Sequence, residues 1–180
     1  MRVLVPATLA MLAHAVATGS LDAVAGAAYA VTPAAREMHT DGDTEELELL
    51  AAEVAAAASL RLLAAAPPTT VPARRVVLSV DVPDEQVAIP APGAGGDDEP
   101  ELVHLVGPVP MKALASAHVD AASTASTVAA ALPVATEPAL ELGALPEGPA
   151  WSARDDVEAS PLLWYDRTEI DALVQEAHTT

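Results

Sequence analysis

The stretch MRVLVPATLAMLAHAVATG, residues 1–19, has the residues expected at the start and end of a strand and then of a helix. Arg2 to Val5 predict a strand that ends at Pro6, because proline cannot donate to a ladder. Thr8 is suited to cap a helix whose apolar residues recur at helical spacing. Gly19 is suited to end that helix.

A second apolar run follows at residues 25–31, AGAAYAV, and predicts a buried strand. Thr32 and Pro33 then predict another helix start, with a cap followed by proline at the first helical position. A strand, a crossover helix and a second strand predict a parallel βαβ unit with a right-handed connection.

The same apolar start raises the alternative of a secretion signal. Its basic region would hold only Met1 and Arg2, while Pro6, His14 and Asp22 interrupt the apolar run. The run is also shorter than the roughly 20 residues of a spanning helix. These features predict a cytoplasmic protein, with secretion as the alternative.

The rest of the chain predicts further helices and strands. Asp43, with Glu46 three residues later, predicts a capping box for a helix that runs to about Ala65. The alternation between Arg74 and Val82 predicts a strand. Further elements are expected in this order: strands at 102–106 and 112–119 joined by a Gly107-Pro108 turn, a helix at 121–132, and a helical piece at about 153–175.

Together these elements predict an α/β fold, with α+β as the alternative, built on a mixed sheet of about five strands. We expect a single domain over residues 1–132 with a flexible loop at 88–100. Residues 133–150 are rich in Pro, Gly and Glu and predict a linker. A C-terminal helical segment, 151–180, is expected to dock on the domain.

The composition restricts the classes of partner. The formal net charge is -18, from 26 acidic residues against 8 Lys and Arg. Such a surface repels nucleic acid and anionic membranes and favours solubility or a basic protein partner. The chain has no cysteine, so disulfides and thiolate chemistry are excluded. The chain holds 42 Ala, one Lys and no Phe, a pattern typical of a GC-rich genome.

Motifs for catalysis or cofactor binding are missing from the sequence. Residues 41–46, DGDTEE, lack the glycine and closing glutamate of an EF-hand and are better explained as an acidic helix start. Residues 92–96, PGAGG, lack phosphate-loop spacing and run into three acidic residues. No serine lies in a nucleophile elbow and no zinc-protease motif occurs. We therefore predict no cofactor and no metal.

Two small groups of residues remain as site candidates. His104 and His118 lie on two predicted neighbouring strands and would stand opposite each other if those strands formed a hairpin, which could suit a metal or a proton relay. Two nitrogens are few for a metal, so exposed strand histidines are the simpler explanation.

Trp164 and Tyr165 are the second group, in a chain with only 2% aromatic residues. Large amphipathic rings stabilise whatever surface they bury against. They predict either docking of the C-terminal helix on the domain, which we favour, or a hot spot for a protein partner.

Several segments together resemble a family of small actinobacterial proteins of unknown function. They are the opening MRVLVPATL, the block AYAVTPAARE followed by GDTEELE, the strand RRVVLSVDVP, the segment HVD at 118–120 and the closing LLWYD. The similarity covers most of the chain except the stretches near 90 and 140. It implies a cytoplasmic bacterial protein and no particular activity, cofactor or catalytic residue.

The sequence therefore predicts a non-catalytic accessory or protein-interaction protein whose partner and oligomeric state are undetermined. The alternative is a small enzyme that uses histidine and carboxylate residues of the sheet, with His104 and His118 as its candidates.

Overall fold

The computed structural model describes residues 1–67, 71–90, 99–137 and 148–179, apart from the side chain at 178. These residues form nine β-strands and six α-helices. The strands are β1 (Arg2–Thr8), β2 (Ser20–Leu21), β3 (Ala27–Tyr29), β4 (Arg75–Asp81), β5 (Val87–Ala88), β6 (Leu102–Leu105), β7 (Val109–Pro110), β8 (Leu114–Val119) and β9 (Leu163–Asp166). The helices are α1 (Leu9–Thr18), α2 (Pro33–Met38), α3 (Thr44–Ala65), α4 (Ala125–Ala131), α5 (Pro149–Glu158) and α6 (Ile170–Thr179).

Seven of these strands form one antiparallel sheet in the order β5-β6-β3-β1-β4-β8-β9, and β2 pairs with β7 in a separate small sheet. The prediction of a mixed sheet of about five strands is therefore wrong in its strand directions and its count. The fold is α+β, the alternative that the sequence left open.

The parallel βαβ start is also wrong, because β3 runs antiparallel to its neighbour β1. Helix α1 carries the chain back by about 15 Å at 1.5 Å per residue. Residues 20–26, which comprise β2, two linking residues and a 3-10 turn at Val24–Gly26, then return it alongside α1. Strand β3 thus starts at the end of the sheet where β1 finishes.

The local signals at helix ends are confirmed. Thr8 Oγ1 accepts a hydrogen bond from the Met11 N–H, and Gly19 ends α1 in the left-handed region at φ 76°. Thr32 caps α2. The acidic start of α3 is a capping box, in which Asp43 accepts from the Glu46 N–H and Glu46 accepts from the Asp43 N–H.

Strand β1 does not stop at Pro6, contrary to the prediction. Pro6 pairs with Val77, and the strand continues to Thr8 in the centre of the sheet. The backbone N–H and C=O of Val76 point toward β1. Because these directions alternate along a strand, the backbone groups of Val77 and of its partner Pro6 point away from each other. The missing N–H of Pro6 therefore falls on the β3 side, where the register between the strands consists of Leu4 and Tyr29 alone.

The core has layers on both faces of the sheet. Helices α1 and α6 cover one face, with Leu12 and Leu173 among the buried side chains. Helix α3 covers the other face over β1, β3 and β4 through its alanines, which let helix and sheet approach closely. At one end of the sheet, α3, α4 and α5 enclose a third cluster around Leu60, Val128 and Val157.

The predicted loop at 88–100 and linker at 133–150 lie largely outside the described residues, which omit 91–98 and 138–147. The C-terminal segment after them is not a continuous helix, as its 153–175 prediction required. It consists of α5, then strand β9, then α6. Ile170, Leu173 and Ala177 of α6 are buried in the main core cluster.

Candidate functional site

Trp164 and Tyr165 lie next to each other on β9 and therefore point to opposite faces of the sheet. Tyr165 is half-buried and packs against the main core cluster under α1 and α6. Trp164 is 60% exposed on the face that α3 partly covers. The structure thus places on opposite faces of the sheet the two rings that the sequence analysis grouped together.

Strand β8 supplies the polar neighbours of Trp164. His118 stands opposite Trp164, and Ser116 stands opposite Asp166. Because side chains alternate along strands, these four residues share one face of the sheet. We call this set, formed by Ser116, His118, Trp164 and Asp166, the Trp164 surface.

The environment of His118 favours the neutral form of its imidazole. It is half-buried, and burial lowers its pKa because desolvation disfavours the charged ring. Its Nε2 lies 3.4 Å from Ser116 Oγ, and Ser116 itself is only 7% exposed. Burial therefore favours a neutral imidazole rather than a cation at the Trp164 surface.

This serine and histidine lie farther apart than an aligned nucleophile and base. A productive pair lies at about 2.6–3.2 Å and has a third group that orients the base. Within the described residues His118 has no carboxylate partner, and Asp166 binds the N–H and Oγ1 of Thr168 instead. The arrangement suits contact with a partner better than acyl transfer.

His104 lies far from His118, so the predicted facing pair of histidines is wrong. Strands β3, β1 and β4 separate β6 from β8, and four steps of about 4.8 Å put the two strands about 19 Å apart. The connection is not a hairpin, because β7 leaves the main sheet to pair with β2. His104 is exposed and stands opposite Ala27 and Ala88.

A buried ion pair holds β9 in place. The guanidinium of Arg75 donates to both oxygens of Asp120, with Nη2 2.8 Å from Oδ1 and Nε 3.0 Å from Oδ2. The two side chains are 3% and 1% exposed. Arg75 Nη2 also donates to the Ser160 carbonyl, at 2.9 Å. The pair therefore ties β4 and the end of β8 to the segment that leads into β9.

A second polar cluster, formed by Tyr29, Arg61 and Glu99, joins β3 to α3. Tyr29 donates to Glu99 at 3.1 Å, and Arg61 donates to the same carboxylate at 2.8 Å. Burial, and then the negative charge of Glu99, raise the pKa of Tyr29 to about 12. Tyr29 therefore stays protonated at neutral pH, and the cluster fastens β3 to α3.

Sequence reasoning missed both polar clusters. Asp120 and Glu99 are two of 26 acidic residues, and their partners lie 45 and 38 positions away along the chain. The one available signal was the rarity of tyrosine, since Tyr29 is one of only two.

Two shallow cavities open on the described surface, and neither includes the Trp164 surface. One, of about 380 Å³, lies between α1 and β2 and is lined by His14, Ser20 and Asp22 among apolar groups. The other, of about 280 Å³, lies beside the start of α6 and is lined by Lys112, Arg167 and Asp171 over an apolar floor. Among the described residues no hydrogen bond joins the side chains of His14, Ser20 and Asp22 in the first cavity.

No group of three or more His, Asp or Glu side chains in the described part of the chain is placed to hold a metal ion. Among the helices that the structure describes, none has both the length and the apolar character to cross a bilayer.

The fold and surface define an α+β protein with a seven-stranded antiparallel sheet and an exposed tryptophan on an edge strand. The chain belongs to DUF6912, a family of unknown function, whose model matches residues 1–174. No curated protein and no solved structure matches the chain.

Proposed function

We propose that this protein is a non-catalytic protein-interaction protein and that its partner binds at the Trp164 surface. The observation that carries the proposal is the 60% exposure of Trp164 on the last strand of the sheet. Tryptophan is enriched at the energetic centres of protein interfaces, because a large rigid ring gains much contact area at a small cost in side-chain entropy.

The neighbours of Trp164 support the same function. His118 adds a half-buried imidazole opposite the indole, and Asp166 lies on the same face of β9. A centre of aromatic and neutral polar groups is typical of interfaces, from which charged groups are depleted. The net charge of -18 favours a protein partner over nucleic acid.

A cytoplasmic location and an actinobacterial origin complete the proposal. The absence of cysteine supports the first. The abundance of residues with GC-rich codons, led by 42 alanines, supports the second.

The test is affinity capture from an extract of the native host, with quantitative comparison of three baits. The wild-type protein is compared with Trp164→Ala and with Val106→Ala. Val106 is a matched control, because it is 62% exposed and follows β6 near the opposite edge of the sheet. Circular dichroism checks that each bait is folded.

We expect Trp164→Ala to lose proteins that the wild type and Val106→Ala both retain, by tenfold or more. Equal capture by all three baits would exclude the Trp164 surface as the interface. Capture of nothing by the wild-type bait would count against an interaction function altogether.

A further inference from the structure

The hydrogen bonds around β8 fix the direction of the backbone groups on β9. Asp120 donates its N–H to the Arg75 carbonyl at 3.1 Å, so these residues face each other across β4 and β8. Residues of an antiparallel pair alternate between facing the partner strand and facing away from it. His118, two residues from Asp120, therefore also faces β4. Its partner on β9, Trp164, must direct its N–H and C=O away from β8.

An independent contact shows the same alternation of backbone directions along β9. Asp166 donates its N–H to the Glu169 carboxylate at 2.8 Å instead of to Ser116 opposite it. Asp166 thus faces away from β8, and Trp164, two residues earlier, faces the same way. Leu163 and Tyr165 are then the residues whose backbone groups pair with β8.

The open edge of β9 is short and is bounded at its C-terminal end. No strand pairs with the outer side of β9 among the residues that the structure describes. The Asp166 N–H, which also faces outward, is taken by Glu169. The unpaired N–H and C=O at the centre of this edge belong to Trp164. An added strand would therefore be aligned on the residue with the most exposed ring of the strand.

The charges around this edge are strongly of one sign. Between residues 155 and 176 the chain has seven acidic residues and a single cation, Arg167. Asp155, Asp156 and Glu158 precede β9, and Glu169 follows it, all exposed. Opposite charges across an interface steer the encounter and reject like-charged partners. The complementary strand is therefore basic.

The indole of Trp164 offers a site for one of those cations. Elsewhere in this chain, Arg154 Cζ lies 5.5 Å from the centroid of the Trp151 ring. In the described residues no such cation covers Trp164. A guanidinium over the face of an exposed tryptophan is attracted by the negative face of the ring, and more strongly when the pair is desolvated.

We propose that the partner contributes a basic, extended segment that adds as a new strand to the outer edge of β9. Its backbone pairs with the N–H and C=O of Trp164, and an arginine or lysine covers the indole. This inference rests on the proposed function and specifies how the Trp164 surface binds. Main-chain pairing supplies affinity in this mode, and the alternating side chains supply specificity.

The experiment uses the full chain carrying Trp151→Phe, which leaves Trp164 as the only tryptophan. The probe is the capped hexapeptide Arg-Val-Arg-Val-Arg-Val, titrated at low salt and followed by Trp164 fluorescence. Two control peptides are matched in length: one has glutamate in place of arginine, and one has alternate backbone nitrogens methylated so that they cannot donate. Amide hydrogen exchange of Trp164 gives a second readout.

We expect saturable binding of the basic peptide, at least tenfold weaker binding of both control peptides, and slower exchange of the Trp164 amide. The exchange of Leu163 and Tyr165, already paired to β8, should change less. Equal binding of the acidic or the methylated peptide would overturn the inference, as would no binding up to about 1 mM, a dissociation constant worth only about -4 kcal/mol.

Two outcomes distinguish a failure of strand addition by a basic partner from a failure of the proposed interaction function. If Trp164→Ala loses its captured proteins while the basic peptide fails to bind, the interaction function stands and strand addition is wrong. If the protein alone forms dimers through this edge, seen by sedimentation and abolished in Trp164→Ala, the occupant is a second copy and the basic partner is wrong.

Discussion

Asp120 has an environment that no other carboxylate among the described ion pairs shares. Its side chain is 1% exposed and accepts hydrogen bonds from the Arg75 guanidinium and from the Arg75 N–H, the latter at 2.7 Å. Arg74 is also buried, and its Nε donates to the Asp120 carbonyl at 2.6 Å. Removing this carboxylate would leave the Arg75 guanidinium in a dry environment with its counter-charge gone, while Arg74 would keep its bond to the backbone carbonyl at position 120.

We therefore expect Asp120→Ala to lower the free energy of unfolding by about 3–5 kcal/mol, the usual effect of breaking a buried pair. The matched control is Asp81→Ala. Asp81 binds Arg2 through two similar hydrogen bonds, but both side chains are more than half exposed, so the loss should be about 0–1 kcal/mol.

Urea unfolding followed by circular dichroism measures both values. If Asp120→Ala leaves no folded protein, Asp120→Asn keeps the side-chain volume and gives a measurable midpoint. Equal losses in the Asp120 and Asp81 variants would show that burial of the pair contributes nothing.

At the residue scale, the sequence could predict what depends on near neighbours. Thr8, Thr32 and Asp43 were identified as caps because the cap and the N–H that it accepts from lie within three residues. Asp120 and Arg75 could not be paired, because the fold alone brings them together.

Helix α3 is attached to the sheet by one buried hydroxyl. Ser59 is 0% exposed, donates to the Ala7 carbonyl at 2.7 Å and accepts from the Val76 N–H at 2.8 Å. It therefore completes a backbone pairing between β1 and β4 that the register places at Ala7 and Val76. The alanine-rich face of α3 allows this close approach.

We expect Ser59→Ala to cost about 1–3 kcal/mol of stability, because it leaves a buried carbonyl and a buried N–H without their partner. Ser126→Ala is the matched control: the same change in another helix, at an exposed position, should be neutral or slightly stabilising. Thermal and urea unfolding of both variants decide the matter. A neutral Ser59→Ala would mean that the strands close up and pair directly.

At the element scale, the sequence predicted most elements and few of their pairings. The strand at 74–82 was recognisable from its alternation, and α3 from its capping box and length. The hairpin of β6 with β8 was wrong because pairing depends on where β7 goes, which no local pattern indicates. Strand β9 was missed because its apolar run is short, although Pro161 before it and the Asp166–Glu169 cap after it mark its limits.

At the scale of the whole molecule, the sequence could predict the fold class but only part of the candidate site. The α+β alternative followed from the mixture of helices and strands. The antiparallel order could not be predicted, because it depends on residues 20–26 returning the chain to the end of the sheet where β1 finishes. Trp164 was singled out from its rarity, and the alternation along β9 then showed which of the two rings is exposed. Its neighbour His118 had been assigned a different partner, His104.

The net charge of -18 gives the last prediction, which concerns the whole surface. Many exposed carboxylates repel one another more in the folded chain than in the expanded one, so the charge opposes folding. Salt shortens the screening length from about 30 Å at 0.01 M to about 6 Å at 0.3 M. We expect the Tm at pH 7 to rise by a few degrees over this range, since 1 kcal/mol shifts the Tm of a domain of this size by about 2–4 °C.

Two comparisons isolate charge screening from other effects of salt. Sodium chloride and sodium sulfate at equal ionic strength should act alike, whereas preferential exclusion would make sulfate the stronger stabiliser. At about pH 5, closer to the pI of about 4.3 where fewer carboxylates are ionised, the salt effect should shrink. A Tm that is flat in chloride at pH 7 would mean that the acidic surface, spread over so many exposed positions, exerts no net repulsion on the fold.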